Sequence, residues 1–173
     1  MSTYPILSKH LTAEGASLES FNTHFDRTHP SSTQLVWSEP IVLEPTDTNG
    51  SDLVCFSHLR WDFVYQRPQH LLSRCATNRR VFIIEEPIVS PDDSYYLAIS
   101  KRECGVWIAV PHLPEGLSEE RAIVLQQLLL DRLMTEAQIQ APILWYYNPM
   151  SVSFTSHIEA SAVIYDCMDE LSA

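Results

Sequence analysis

The sequence predicts an α/β domain built on a mostly parallel sheet flanked by helices, with an antiparallel hairpin inserted. Three observations carry this expectation. Short continuous apolar runs recur at Leu53-Val54-Cys55-Phe56, at Val81 to Ile84 and at Ile143 to Tyr147, and such runs mark strands buried on both faces. Segments of crossover length separate them, which parallel neighbours need and hairpins do not. Each run ends in polar or proline chemistry: Ser57-His58, Glu85-Glu86-Pro87 and Asn148-Pro149.

Taken in order, residues 1–50 differ from the rest. They are rich in Ser and Thr, contain Pro5, Pro30, Pro40 and Pro45, and show little periodicity. This is the composition of a poorly ordered extension. Leu35-Val36-Trp37 and Ile41-Val42-Leu43 are the exceptions, able to form edge strands or to dock on the body. The body, residues 51–173, opens with the strand Leu53 to Phe56. Pro68 suits the first turn of a helix and pushes Arg67 from helical dihedrals, so Trp61 to Gln66 reads as a loop. On that helix Leu71/Cys75 and Leu72/Ala76 are i,i+4 pairs facing the sheet, and Asn78-Arg79-Arg80 ends it.

After the strand Val81 to Ile84, Pro91-Asp92-Asp93 is turn chemistry. Tyr95 to Ser100 and Val106 to Val110 read as the hairpin, and Pro111 to Gly116 as a loop. Ser118 is a candidate N-cap with Glu119 and Glu120 in the first turn. The helix is expected to reach about Gln138, with Val124, Leu128, Leu129, Leu133 and Ala137 as its core stripe. The strand Ile143 to Tyr147 follows. A short helical stretch with Phe154 and Ile158 then leads to a last strand, Ala162 to Tyr165. Leu171-Ser172-Ala173 is too short for the helix that usually covers such a strand. The expectation is that another chain or domain supplies that layer, or that the chain is a fragment.

Length and charge narrow the function. A chain of 173 residues holds one domain with a sizeable core. With 11 Lys+Arg against 22 Asp+Glu the net charge is -11, which argues against a nucleic-acid partner. No apolar run approaches the roughly 20 residues of a membrane span, and no secretory signal opens the chain. A cytoplasmic protein is expected. Cys55, Cys75, Cys104 and Cys167 show no C-x-x-C spacing and read as buried, reduced thiols.

The residues richest in chemistry follow the first strand. His58 could act as a general base, and Arg60 or Arg67 could clamp a phosphate or carboxylate. Trp61 could stack on the face of a sugar or a base. The same residues equally fit a structural role in which Trp61 and Phe63 cap the core and the charges are solvated. Asp166, Asp169 and Glu170 follow the last strand and could bind hydroxyls or orient a base. Alternatively Asp169 caps a further helix, with Glu170 in its first turn. Glu85-Glu86 could hold a ribose, but no glycine-rich phosphate loop follows any strand. No H-E-x-x-H or Asp-x-Asp is present, so no metal site is expected, and His70, His112 and His157 read as surface or loop residues.

The blocks DLVCFSHLRWDFVYQRPQHLLSR, VFIIEEP, GVWIAVPHLPEG and VIYDCMDELSA together resemble the start of bacterial glycosyltransferases of the two-Rossmann-domain (GT-B) type. The similarity is to the family 1/family 4-like group, including teichuronic-acid-type transferases. It covers residues 51–173, and R-W-D-F-V-x-Q-R-P-Q-H-L is its most specific string. The resemblance implies an incomplete N-terminal Rossmann-like domain that binds the acceptor, a glycan or a lipid-linked sugar. It implies a nucleotide-sugar donor held by a C-terminal domain, often through an E-x7-E pair. It places His58 or Asp169 as the base, and Arg60, Trp61, Asp62, Arg67, Gln69, Asp166 and Glu170 along the acceptor wall. No two glutamates here are spaced as that pair requires. The expected partner is therefore a missing C-terminal domain or a second chain, with transfer absent from this chain alone and attachment to the inner membrane face where the acceptor is lipid-linked. The rival expectation is a non-catalytic module, such as a homodimer, pairing through an uncovered sheet face or edge. A hydrolase or epimerase is disfavoured by the absence of G-x-S-x-G.

Overall fold

The structure, a computed structural model, describes residues 34–40 and 50–167. The expectations for the loose extension, for Ile41-Val42-Leu43 and for Asp169 and Glu170 fall outside these residues. Among the described residues the strands are β1 (Gln34–Trp37), β2 (Leu53–Ser57), β3 (Val81–Glu85), β4 (Ile88–Val89), β5 (Tyr96–Lys101), β6 (Trp107–Leu113), β7 (Ile143–Tyr146) and β8 (Ala162–Tyr165). The helices are α1 (Arg67–Cys75), α2 (Glu119–Glu136) and the single turn α3 (Val152–Thr155), which follows a 3-10 turn at Pro149–Ser151.

The strands form one sheet in the order β1-β5-β6-β3-β2-β7-β8, with β4 beside the end of β6. Every pairing is parallel except β5 with β6, so the expected α/β architecture with an inserted hairpin is the one observed. The hairpin turns at Gly105, whose φ of 89° requires a residue without Cβ strain. Its N–H donates to the Arg102 carbonyl at 2.8 Å.

Alternation along the buried strands divides the core in two. Leu53, Cys55, Val81, Ile83, Val106 and Ile108 face Leu72 of α1. Val54, Phe56, Phe82, Ile84, Trp107, Ala109 and Leu144 face Leu125, Leu129, Leu130 and Leu133 of α2. Helices thus cover both faces, which is why the central strands carry no polar face. At the amino ends of the strands Arg80 pairs with Asp52, donating from Nε to Oδ1 at 2.8 Å and from Nη2 to Oδ2. It also donates to the Ala137 carbonyl at 2.8 Å, at the C-terminus of α2.

Several expectations are corrected. Pro111, His112 and Leu113 are strand, paired with β5 and β4, not loop. Pro111 sits opposite the break between β3 and β4 at Glu86-Pro87, a place where a missing N–H is tolerated. The core stripe of α2 is rotated: Val124 and Leu128 are 52% and 44% exposed, while Leu125 and Leu130 are buried. Helix α1 stops at Cys75, before Asn78-Arg79-Arg80, and Ile158 lies beyond α3. Cys55 is buried as expected, but Cys104 and Cys167 are exposed.

Candidate functional site

The chain leaves β2 through α1 to one side of the sheet, and returns from β6 through α2 to the other. Strands β2 and β7 therefore flank a topological switch point, and ligands of open α/β sheets bind beyond the carboxyl ends there. The structure places two constellations at that end, one on each face.

On the α1 face lies the loop from His58 to Gln66. Glu85, at the tip of β3, organises it. Arg60 Nη1 donates to Glu85 Oε2 at 3.0 Å and to the Glu86 carbonyl at 2.6 Å. The Trp61 N–H donates to Glu85 Oε1 at 2.7 Å, so both oxygens of this buried carboxylate are held. Asp62 is clamped by Arg102, which donates from Nε at 3.1 Å and from Nη2 at 2.6 Å. This contact raises the Arg102 pKa above its ordinary value. Gln69 is buried on α1, and its Nε2 donates to the Trp61 and Val64 carbonyls at 2.8 and 2.9 Å. Its Oε1 accepts from the Gln66 N–H at 2.9 Å, closing the helix start. Arg60, Asp62 and Gln69 thus shape the loop through protein partners, and Trp61 leans on the α1-side core. Phe63 and Tyr65 are exposed rather than capping that core.

Arg67, at the start of α1, reaches Asp166 at 3.2 Å, so the fold does join the first and last strand ends. Asp166 Oδ2 and Tyr147 Oη are buried there, with no hydrogen-bond partner of good geometry among the described residues. Burial, with Asp166 and Cys75 adding to it, pushes the Cys55 thiol up. Burial likewise raises Tyr147, with Cys55 and Asp166 adding to it. Neither group is an activated nucleophile at neutral pH. His58 is exposed and makes no hydrogen bond or ion pair with a described residue.

On the α2 face is a cleft of about 350 Å³, within the size range of ligand pockets. Ser57 and Glu85 end its central strands, with Glu86 beside them. Glu119 and Gln126 come from α2, and Asn148, Ser151 and Ser153 from the segment after β7. Phe56 packs its floor, stacked on Tyr146 at 5.0 Å and edge-on to Phe154 at 5.9 Å. Thr155 donates to the Ser151 carbonyl at 2.8 Å, which leaves its oxygen to accept from Tyr146 Oη at 2.7 Å. That buried relay fixes the cleft wall and, despite its hydrogen bond, Tyr146 is raised by burial. The wall can take up a hydroxylated ligand through neutral donors and acceptors and through carboxylates.

Sequence reasoning singled out Glu85-Glu86 but missed Gln126, Ser151 and Ser153. Glu119, Ala122, Ile123 and Gln126 recur at i, i+3, i+4 and i+7, a periodicity that could have marked one helix face as the wall. Among the described residues no cluster of His, Cys, Asp and Glu could hold a metal ion. No helix there is long and apolar enough to cross a membrane. Compared with protein-family models, curated proteins and solved structures, the chain matches none.

Proposed function

We propose that this chain is the acceptor-side part of a glycosyltransferase, receiving a glycan or lipid-linked acceptor beyond the carboxyl ends of β2 and β3. The observation that carries this reading is the cleft at the switch point, walled by Ser57, Gln126, Asn148, Ser151 and Ser153 over an apolar floor. Such a wall suits the hydroxyls and the C–H face of a sugar. The sequence string from Arg60 to Leu71 supports the same reading by resemblance. The nucleotide-sugar donor is assigned to a second Rossmann-like domain or partner chain, and transfer requires both halves. His58, adjacent to Ser57 of the wall, is the proposed base that takes the acceptor hydroxyl proton as its oxygen attacks the anomeric carbon and the nucleotide leaves. Asp169 is the alternative base. The setting is the cytoplasm, at the inner membrane face where the acceptor is lipid-linked.

Saturation-transfer NMR on the chain tests the reading with short oligosaccharides and nucleotide sugars in turn. The expected result is a response from oligosaccharides, lost in Ser153→Trp, which fills the cleft, and none from nucleotide sugars. A nucleotide-sugar response without an oligosaccharide response would assign the opposite half of the reaction and overturn the proposal. A second reading, a homodimer pairing through the sheet edge, is favoured by one observation: Val163 and Tyr165 of β8 are 66% and 57% exposed.

A further inference from the structure

We propose that the tip of the β2–α1 loop and the outer face of α1 form a docking surface for an anionic lipid bilayer. The inference deepens the acceptor reading and rests on it only for the purpose of docking, which is to meet a lipid-linked acceptor. Phe63, Val64 and Tyr65 are consecutive, and they are 81%, 46% and 66% exposed. Exposed apolar side chains are ordinary when scattered, whereas a contiguous group of large ones marks an interaction site.

The run is held by a braced backbone. The Phe63 N–H donates to the Arg60 carbonyl at 3.2 Å. Gln69 Nε2 donates to the Val64 carbonyl at 2.9 Å, and Gln69 Oε1 accepts from the Gln66 N–H at 2.9 Å. Turning these side chains inward would break those bonds.

Charge supplies a second, independent observation. Residues 63–80 hold four of the 11 Lys and Arg and none of the 22 Asp and Glu, in a chain of net charge -11. Arg79 and Arg80 are engaged by the Ser51 carbonyl and by Asp52. Arg67, His70 and Arg74 stand at i, i+3 and i+7, which is one face of α1. All three are exposed, on the side of the helix opposite buried Leu72. The Tyr65 ring meets the His70 ring edge-on at 4.6 Å, so the apolar tip and the cationic face are contiguous. Arg67 pairs with Asp166, yet its side chain remains 60% exposed. Asp62, beside Phe63, is answered by Arg102.

A bilayer interface accepts both features, aromatic rings at headgroup depth and guanidiniums at anionic phosphates. Side chains this exposed project from the surface instead of lining a groove, and so suit a partner that they can enter. An acidic chain has no general attraction for anionic lipid, so binding would have to come from a local surface.

The test is co-sedimentation of the chain with vesicles of phosphatidylcholine, alone and mixed with phosphatidylglycerol. Binding is expected to the mixed vesicles and is expected to fall as salt rises. Phe63→Ser combined with Tyr65→Ser should lower partitioning at least about tenfold. Arg74→Gln should lower it about fivefold. Melting temperatures should be unchanged in these variants, because the substituted side chains are exposed. Absence of binding to either vesicle overturns the proposal and leaves glycan binding, read by NMR, standing. Equal binding to both compositions overturns it, as does binding that survives both variants. Self-association lost in the double variant, without vesicle binding, would give the tip to a second copy of the chain and overturn it too. Vesicle binding with no oligosaccharide response removes the acceptor reading and keeps the docking surface.

Discussion

At the residue scale, the side chains of the β2–α1 loop are bound chiefly to one another. Glu85, Arg60, Asp62 and Gln69 are each answered by a protein partner, so the loop holds its shape without a ligand. His112 is the exception with a measurable consequence. It stacks on Tyr96 at 4.1 Å, and its Nδ1 is buried without a hydrogen-bond partner among the described residues. Burial first, and then the Arg60 cation, lower its pKa from the ordinary value. The folded state therefore disfavours the proton. Its contribution is complete above the unfolded value near pH 6.5 and is lost as pH falls toward the folded value. His112→Phe keeps the stacking ring and removes the proton site. Thermal melts between about pH 7.5 and 5 should show a shallower loss of stability in that variant than in the parent. Equal slopes would mean His112 does not titrate on unfolding.

At the element scale, α2 separates what burial decides from what pattern suggests. Leu129 is 1% exposed and Leu128 is 44% exposed, on adjacent positions of the helix. Leu129→Ala should cost about 2–5 kcal/mol in chemical denaturation, the range for a core cavity. Leu128→Ala should stay within about 0.5 kcal/mol. The reverse order would mean the helix is seated on its other face. This is also where the sequence was least legible. Ile123-Val124-Leu125 and Leu128-Leu129-Leu130 are continuous apolar triplets, so their spacing admits two neighbouring stripes. Strands β2, β3 and β8 were legible because an apolar run with a polar stop has one interpretation. Pro111 hid the end of β6, since the break in its neighbour at Glu86-Pro87 had to be known before a proline there made sense. Among candidate site residues, the approach of Arg67 to Asp166 followed from strand order. Ser151, Ser153 and Gln126 did not, because the cleft draws on separate segments and no single motif contains them.

At the scale of the whole molecule, the sheet ends in two different edges. Strand β1 closes one side against β5, and β8 stands at the other, paired only with β7 among the described strands. An open edge with exposed apolar side chains is a template for pairing. If the homodimer reading holds, light scattering should give a mass that rises with concentration, and Val163→Lys with Tyr165→Lys should hold it at the monomer value. A parent chain that stays monomeric throughout removes that reading. The contacts of Arg80 bear on a different question. They tie the starts of β2 and β3 to the end of α2, so the sheet is fastened at one end and gapped at the other. A molecule seated in the gap would act as the missing fastener. Occupancy and folding would then share one free-energy cycle, in which melting temperature rises with the logarithm of ligand concentration. Thermal shift could thus report on the cleft before any reaction has been found.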